Sequence, residues 1–477
     1  MLRRKFEDVL YSWKQNPKRK PLVIKGIRQC GKTYIAQKFA EDNYRHVIYV
    51  NFVLNPNLIS AFTGNKDVDT ILLNLSAMIP GASFVPGQTC IILDEIQDCP
   101  DARTSLKSFM MDGRYDIIAT GSLLGVKGYG EKQKKEQDGR LGKNSIPVGY
   151  ETVYTMYPLD FEEFLWANGV SSAVLDKLSE CFSSETPVPD GVHNAMQQLL
   201  LRYAVVGGLP EAVNTYIETN NINKVAKVQR DIVADYEEDM TKYAPDADKA
   251  KIRECFESIP SQLAKENKKF QYSVIRSGAR SNQYQASLQW LEDAGIISRC
   301  YNTTLPDLPY SGNKQDDCFK VYVTDIGILM AMLDYGVQSN ILQGDLYGYK
   351  GAIYENLIAE MLVKSGCPLY YYRKDSGLEL DFLLEKDSLN TAIEVKAKSG
   401  KGRSLDTVLK HPEVYHVQQG IKLGQYNVGR NGKLLTIPLY LVHLLGCRQE
   451  IDPVDKVDID ALNSLVWPFS TRPNINI

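Results

Sequence analysis

The stretch Gly26-Ile-Arg-Gln-Cys-Gly-Lys-Thr33 decides the fold of the N-terminal half. It fits the pattern G-x-x-x-x-G-K-[ST], follows the apolar run Pro21-Leu-Val-Ile-Lys25 and precedes a helical pattern. In this setting the glycines let the backbone curl, so that its N–H groups and the helix N-terminus surround phosphate oxygens. The predicted nucleotide-binding residues are Gly26, Ile27, Arg28, Gln29, Cys30, Gly31, Lys32, Thr33 and Tyr34.

The last residues of this loop have separate expected roles. Lys32 is expected to reach the β and γ oxygens of a nucleoside triphosphate, and the Thr33 hydroxyl is expected to bind Mg²⁺. The alternative is an ordinary glycine turn between a strand and a helix, which does not explain Gly-Lys-Thr at this junction. ATP and Mg²⁺ are therefore the predicted cofactors.

A second motif, Cys90-Ile-Ile-Leu-Asp-Glu95, places two carboxylates after a buried strand, at the sheet edge where open α/β sheets bind ligands. Asp94 is expected to hold Mg²⁺ through water, and Glu95 to orient and deprotonate the attacking water. A further apolar run ends in Thr120-Gly-Ser122, which brings small hydroxyls near the γ-phosphate or this water. Thr-Gly-Ser is also an ordinary turn.

The first 157 residues contain several Ile- and Val-rich runs without polar alternation, separated by helical patterns. Such runs are typical of a parallel sheet covered on both faces, so an α/β core is predicted. The runs are residues 21–25, 46–52, 89–94, 115–120 and 149–154.

Length and composition exclude several classes of protein. A chain of 477 residues is too long for one hydrophobic core, and no uncharged apolar run approaches the ~20 residues of a membrane span. The net charge of -3 leaves nucleic-acid binding to local patches only. The nine cysteines include no C-x-x-C pair, so neither a zinc site nor a disulfide framework is indicated. We expect a cytoplasmic protein without contact to a membrane.

Four units are predicted along the chain: residues 1–157, 158–245, 246–335 and 336–477. The first is the α/β core. The second is a helical lid, interrupted where Val206-Gly-Gly-Leu-Pro210 breaks the helical pattern. The third has the order helix, Gly295 stop, strand, turn and strand, which predicts a winged helix.

The predicted helix Tyr284–Gly295 has two interpretations. It is a DNA-recognition helix if the preceding basic residues bind phosphates. It is an interdomain packing element if Leu288, Trp290 and Leu291 face a core. The basic residues are Lys265, Lys268, Lys269, Arg276 and Arg280.

The fourth unit combines a helix carrying Glu355 with strands predicted at 369–372, 379–384, 392–396 and 439–444. Asp381 lies on one strand, and Glu394 and Lys396 share a face of the next, because strand side chains alternate. This order resembles the restriction-endonuclease-like motif. The resemblance implies that Glu355, Asp381 and Glu394 bind a divalent metal and that Lys396 positions or activates water. The alternative is a charged pair on a solvent-facing strand.

The chain as a whole resembles a bacterial and archaeal family of AAA-type ATPases with a lid, a winged helix and a C-terminal domain of uncharacterised function. The resemblance implies that Thr120 or Ser122 senses nucleotide. Many relatives carry an arginine after Ile-Pro-Val-Gly, where this chain has Tyr150; Arg140 is the nearest substitute. The shared motifs are Gly26–Thr33, Leu93–Gln97, Thr120–Ser122, Ile146–Gly149, Pro158–Leu165 and Gly207–Pro210.

Taken together, the motifs predict a cytoplasmic, homo-oligomeric ATPase that changes conformation on DNA or RNA. The alternative is a nucleotide-dependent regulatory switch that binds a protein partner and has a catalytically inactive C-terminal domain. The sequence leaves both open.

Overall fold

The computed structural model describes residues 2–122, 149–265, 268–334, 336–343, 349–396 and 403–446. The predicted Arg140 and most of the Ile146–Gly149 motif lie outside these residues.

The N-terminal sheet has five parallel strands in the order β2-β3-β4-β1-β5, which confirms the predicted parallel α/β core. Because β4 lies between β1 and β3, the phosphate loop after β1 and the carboxylates after β3 open at the same sheet edge. The strands are β1 (Leu22–Lys25), β2 (His46–Asn51), β3 (Thr89–Asp94), β4 (Asp116–Gly121) and β5 (Thr152–Thr155).

Helices cover both faces of this sheet. Along β3, Ile91 and Leu93 pack into one apolar cluster and Ile92 into the other, because alternate side chains point to opposite faces. This double burial explains why the strands carry no polar alternation. The helices are α1 (Phe6–Gln15), α2 (Lys32–Asn43), α3 (Val68–Met78) and α4 (Pro100–Asp112).

The next segment is helical, as expected. Asp160 caps its first helix through a reciprocal hydrogen-bond pair with Glu163. The break at Gly207 and Gly208 is sterically required, since a Cβ on Gly208 would lie 2.0 Å from the Leu159 carbonyl oxygen. The helices are α5 (Phe161–Ala167), α6 (Ser172–Ser183), α7 (Asp190–Val206), α8 (Pro210–Thr219) and α9 (Ile222–Tyr243).

The segment predicted as a winged helix has three helices followed by an antiparallel strand pair and one short helix. The order of elements agrees with the expectation, and the winged-helix assignment itself stays a prediction. The elements are α10 (Lys249–Leu263), α11 (Tyr272–Ile275), α12 (Ser281–Asp293), β6 (Ile297–Thr303), β7 (Lys314–Val323) and α13 (Ile326–Ala331). Helix α14 (Val337–Leu342) follows the predicted boundary at residue 335.

The C-terminal segment shares a sheet with the preceding one. Its eight strands have the order β12-β13-β11-β10-β9-β8-β6-β7, so β6 and β7 extend the sheet across the predicted boundary at residue 335. The elements are α15 (Lys350–Lys364), β8 (Tyr370–Arg373), β9 (Glu379–Lys386), β10 (Leu389–Val395), α16 (Arg403–Lys410), α17 (Pro412–Tyr415), β11 (Gln419–Gly424), β12 (Gly429–Asn431) and β13 (Leu434–Pro438).

One sequence-based expectation was wrong. The apolar run predicted as a strand at 439–444 is a 3₁₀ helix, Leu439–Leu445. Leu439 to Val442 are all buried, and a short run that is apolar on every side does not distinguish a strand from a buried helical turn.

No helix among the described residues has both the length and the apolar character needed to cross a membrane.

Candidate functional site

The phosphate loop has the strained backbone that its curl requires. Gln29 has a φ of 62° and Gly31, the N-cap residue before α2, has a φ of 97°, so both lie in the left-handed region. Gly26 allows close packing, because a Cβ there would lie 2.1 Å from the Met156 carbonyl oxygen. The loop therefore has the conformation that turns successive backbone N–H groups toward an anion.

Lys32 lies inside the loop. Its side chain is buried, and its Nζ donates to the carbonyl oxygens of Gly26 at 3.0 Å and Ile27 at 2.8 Å. Cys30 is also buried, whereas Tyr34 is 53% exposed at the surface of α2. An ammonium group thus lies in the concave side of the loop, where a phosphate chain would bind.

Asp94 connects the two predicted motifs. Its Oδ1 accepts hydrogen bonds from the hydroxyl of Thr33, at 2.9 Å, and from that of Thr120. Its Oδ2 accepts from the Tyr49 hydroxyl at 2.6 Å and from the Asn51 amide at 2.8 Å. The structure thereby brings together three of the residues selected from the sequence and adds two that were missed.

Tyr49 and Asn51 lie at the end of β2, where Asn51 pairs in register with Asp94. Burial and the hydrogen bond to Asp94 raise the pKa of Tyr49 to about 12, so its hydroxyl remains a neutral donor. A polar pair at the end of a predicted parallel strand is the signal that would have found them, because such ends share one sheet edge.

Glu95 follows Asp94 in a left-handed conformation with a φ of 54°. For a residue other than glycine this backbone costs of order 1 kcal/mol and is common at active sites. Its Oε2 accepts a hydrogen bond from the Gln97 amide, which orients the carboxylate. Ser122 is buried just beyond the end of β4.

Helix α9 of the predicted lid contacts the crest of the phosphate loop. Asp239 forms an ion pair with Arg28, and Asp235 accepts a hydrogen bond from the Gln29 amide at 2.7 Å. The buried Tyr236 hydroxyl donates to the Arg28 carbonyl oxygen at 2.8 Å. The lid and the loop are therefore joined through one helix face.

Arg4 braces the other side of the loop, which sequence reasoning missed. Its Nη1 donates to the Cys30 carbonyl oxygen at 3.0 Å and its Nη2 to the Tyr157 carbonyl oxygen at 2.6 Å. Its Nε pairs with the buried Glu163 at 3.1 Å. Nothing in the sequence separates Arg4 from the other basic residues of the N-terminal segment.

The C-terminal candidate residues also lie together. Phe382 pairs with Ile393 across β9 and β10, so Asp381 is opposite Glu394. Asp381 Oδ2 accepts from the Val395 N–H at 2.8 Å, and Lys396 Nζ lies 2.6 Å from Glu394 Oε1.

We call Glu355, Glu379, Asp381 and Glu394 the carboxylate cluster. Lysines from elsewhere in the chain form ion pairs with two of these acids. Lys320 on β7 is 1% exposed, and its Nζ lies 2.8 Å from Glu379 Oε1 and 3.5 Å from Glu355 Oε2. Lys268 also pairs with Glu355. Within the described ranges, no three His, Cys, Asp or Glu side chains are grouped to hold a metal ion.

The surroundings of the cluster raise the pKa of one of its carboxyl groups and lower the pKa of another. Burial, with the Glu355 carboxylate adding to it, raises the pKa of Asp381 to about 7. Burial acts in the same direction on Glu355, but the Lys320 and Lys268 ammonium groups outweigh it and hold that pKa below its ordinary value. The same carboxylates raise the pKa of Lys320 against its burial, so its ammonium form is maintained.

Helix α12, the predicted recognition helix, buries Leu288, Trp290 and Leu291, as the packing interpretation expected. Its end reaches the phosphate loop, since a Cβ on Gly295 would lie 3.1 Å from the Ile27 side chain. Arg276 and Arg280 are exposed. The opposite face carries exposed amides at Asn282, Gln283, Gln285 and Gln289.

Three family models match separate parts of the chain. Residues 18–165 match the model described as AAA domain. Residues 197–339 and 350–441 match two models described as domains of unknown function, DUF8612 and DUF4143. With its parallel sheet and phosphate loop, the N-terminal part of the chain has an AAA-type P-loop ATPase fold.

Similar solved structures include the Walker-type ATPase PABY2304 of Pyrococcus abyssi, with 13% identity, 70% of this chain and 96% of that chain covered, and a TM-score of 0.39. The Aeropyrum pernix ORC1 protein in complex with DNA has 14% identity, coverages of 72% and 91%, and a TM-score of 0.27. AMPPCP-bound DnaA from Aquifex aeolicus has 13% identity, coverages of 61% of this chain and 87% of that chain, and a TM-score of 0.25. Such scores are no basis for assigning an activity. A search of the curated proteins finds no match.

Proposed function

We propose that the protein hydrolyses ATP with Mg²⁺ and converts the nucleotide state into movement of its lid and C-terminal parts. The observation that carries this proposal is Asp94, which joins the phosphate-loop hydroxyl of Thr33 to the Thr120 hydroxyl on the neighbouring strand. Thr33 and Asp94 supply hard oxygen ligands of the kind that Mg²⁺ prefers, so these residues fit the ion.

Each residue of this site has a role in the proposed reaction. Lys32 and the loop N–H groups bind the phosphates, while Thr33 and Asp94 hold Mg²⁺, which neutralises phosphate charge when bound. Glu95 accepts the proton of the attacking water. Thr120 and Ser122 respond to the γ-phosphate.

A buried charge cluster provides the mechanical connection to the rest of the chain. We call Tyr203, Asp325, Glu360 and Lys364 the Glu360 cluster. The Tyr203 hydroxyl donates to Glu360 at 2.6 Å, the Gly208 N–H donates to Asp325 at 2.8 Å, and Lys364 donates to the Leu159 carbonyl oxygen at 3.0 Å. Because these residues come from the lid and from both units that follow it, movement of the lid would disturb contacts in three of the four predicted units.

Action on DNA or RNA forms part of the proposal for α12. Exposed amide side chains are suited to base edges, and the guanidinium groups of Arg276 and Arg280 to phosphates. Lys268, which the sequence assigned to phosphate binding, is engaged by Glu355 instead. We further propose that the protein acts as a homo-oligomer in the cytoplasm.

The second candidate is a nucleotide-dependent switch that binds a protein partner and has an inactive C-terminal domain. The specific observation in its favour is Lys320, whose ammonium group pairs with Glu355, one of the acids expected to bind a metal, and with the neighbouring Glu379. Cleavage of DNA or RNA with Mg²⁺ or Mn²⁺ that is lost in Asp381→Ala and Lys396→Ala would instead support a nuclease.

Steady-state ATP hydrolysis tests the proposal, measured over a range of protein concentrations with and without single- and double-stranded DNA. Turnover that Lys32→Ala and Glu95→Gln both abolish is expected. Stimulation by DNA and by protein concentration supports an assembled machine on nucleic acid. Turnover that changes neither with DNA nor with protein concentration favours the nucleotide-dependent switch that binds a protein partner. Absence of hydrolysis in the wild type under all conditions contradicts the proposal.

A further inference from the structure

Arg28 occupies an unusual position for a structural arginine. It lies at the crest of the phosphate loop, directly after the Gly26 and Ile27 carbonyls that surround the Lys32 ammonium group. Its side chain is 47% exposed, so the guanidinium is not part of the packed core. The phosphate loop therefore carries a second, partly exposed positive charge in addition to that of Lys32.

The partner of Arg28 is an acid on the lid. Asp239 pairs with it from α9, while Asp235 and Tyr236 on the same helix face bind Gln29 and the Arg28 backbone. Asp235 and Glu95 add to the Asp239 effect in raising the pKa of Arg28 against its partial burial. Among the described residues, the acids whose charge acts on this guanidinium are Asp239, Asp235 and Glu95, and Asp239 contacts it directly.

We propose that Arg28 supplies, from the same chain, the positive charge that stabilises the terminal phosphate during hydrolysis, and that Asp239 withdraws it when α9 is docked. This inference rests on the proposed ATPase function and adds the residue and the switch. An arginine placed in cis in this way is a known means of neutralising transition-state charge.

In the reaction the water oxygen forms a bond to the γ-phosphorus, and the bond from that phosphorus to the β–γ bridging oxygen breaks. The products are ADP and inorganic phosphate, and Glu95 takes the water proton. Arg28 transfers no proton or electron. It stabilises the charge on the phosphoryl oxygens only after it leaves Asp239.

The first test separates nucleotide binding from turnover. Arg28→Ala is expected to bind ATP within about threefold of wild type, to lose at least about 100-fold in kcat, and to lose affinity for ADP with aluminium fluoride. Arg28→Lys, which keeps the charge without the planar fork, should recover part of kcat. Unchanged kcat in Arg28→Ala, with Lys32→Ala inactive, overturns this inference and leaves the ATPase function intact.

Mixing two inactive variants tests whether the arginine acts in cis. Arg28→Ala and Lys32→Ala chains are combined and their ATP hydrolysis is measured. No recovery is expected, because neither chain holds both Arg28 and Lys32. Recovery of turnover shows that Arg28 acts on a neighbouring chain and contradicts the proposal. A wild type that binds ATP without turnover contradicts both this inference and the proposed function.

The switch is tested on α9. Asp239→Asn is expected to raise kcat severalfold, since the guanidinium is released from its acid. Glu237→Gln is the matched control on the same helix, because Glu237 pairs with Arg253 at 3.2 Å and not with the loop. Equal effects of the two substitutions, or a fall in kcat with Asp239→Asn, would contradict the proposal that Asp239 withdraws Arg28.

Discussion

The phosphate-loop site has an acid at the end of a strand, and the carboxylate cluster gathers acids from a helix and two strands, but the partners of these acids differ in charge. Asp94 receives four hydrogen bonds, all from uncharged side chains: Thr33, Tyr49, Asn51 and Thr120. Glu355, by contrast, is paired with the ammonium groups of Lys268 and Lys320.

The charge of the partners determines whether each group of acids can still attract a cation. A carboxylate held by neutral donors keeps its negative charge and its attraction for a cation such as Mg²⁺. A carboxylate held by buried ammonium groups is already compensated, and the ion pairs persist only because each charge has its partner. The first arrangement indicates a site for ligands, and the second indicates a fixed internal charge cluster.

The largest expected effect concerns the first site. Glu95→Gln removes the proton acceptor and keeps the hydrogen-bonding shape, so ATP turnover should fall by about 10²–10⁴-fold with ATP still bound. Phosphate release and nucleotide binding measure the two effects. Glu385→Gln, an exposed substitution on β9, is the control and should leave turnover unchanged. Full activity of Glu95→Gln would mean that water is activated by another group.

In the carboxylate cluster the predicted effect is on stability. Lys320→Met leaves Glu355 and Glu379 without their buried cation and should lower the free energy of unfolding by about 3–5 kcal/mol. Lys314→Met, on the same strand with an exposed acidic partner, should cost at most about 1 kcal/mol. Urea unfolding of both variants gives the comparison. Similar stabilities would show that the cluster does not depend on Lys320.

The Glu360 cluster predicts a pH dependence. Burial, with Asp325 adding to it, raises the pKa of Glu360 from 4.5 to about 7. The folded protein therefore keeps this proton where the unfolded chain has released it, and the free energy of unfolding should fall as pH rises from about 4.5 to about 7. Glu360→Gln should reduce that fall in urea titrations at several pH values. An identical slope in both proteins would contradict the shifted proton.

The smallest expected effect is on nucleic-acid binding. Neutralising Arg276 or Arg280 should weaken duplex binding by about 1 kcal/mol each and reduce the slope of log affinity against log salt by about one unit. Fluorescence anisotropy at several salt concentrations measures both quantities. Substitution of Lys268, which is paired with Glu355, tests whether that lysine contributes as well. Duplex affinity that is unchanged by substitution of any of the three residues would favour the switch that binds a protein partner.

Local patterns were sufficient to predict the phosphate-loop region. The glycine spacing, the apolar runs of β1, β3 and β4, and the position of Asp94 after a buried strand are all properties of short segments. The parallel sheet then brings their ends together. Tyr49 and Asn51 escaped notice because their contact with Asp94 depends on the register of β2 and β3.

The charge balance of the carboxylate cluster could not be predicted from the sequence either, because it also depends on contacts between distant segments. Lys268 and Lys320 precede Glu355 by 87 and 35 positions, so no local spacing connects them to that acid. Only the sheet order, which places β6 beside β8 and β7 beside β6, brings Lys320 to the acids. The motif located the four C-terminal candidates, but tertiary packing determines their charge.

The most direct test of the contrast between the two sites is the number of Mn²⁺ ions bound per chain with ATP present, measured by electron paramagnetic resonance. One ion per chain is expected, lost in Asp94→Asn and retained in Asp381→Asn. A second ion that disappears in Asp381→Asn would show that the carboxylate cluster binds metal despite its lysines, and would contradict the account.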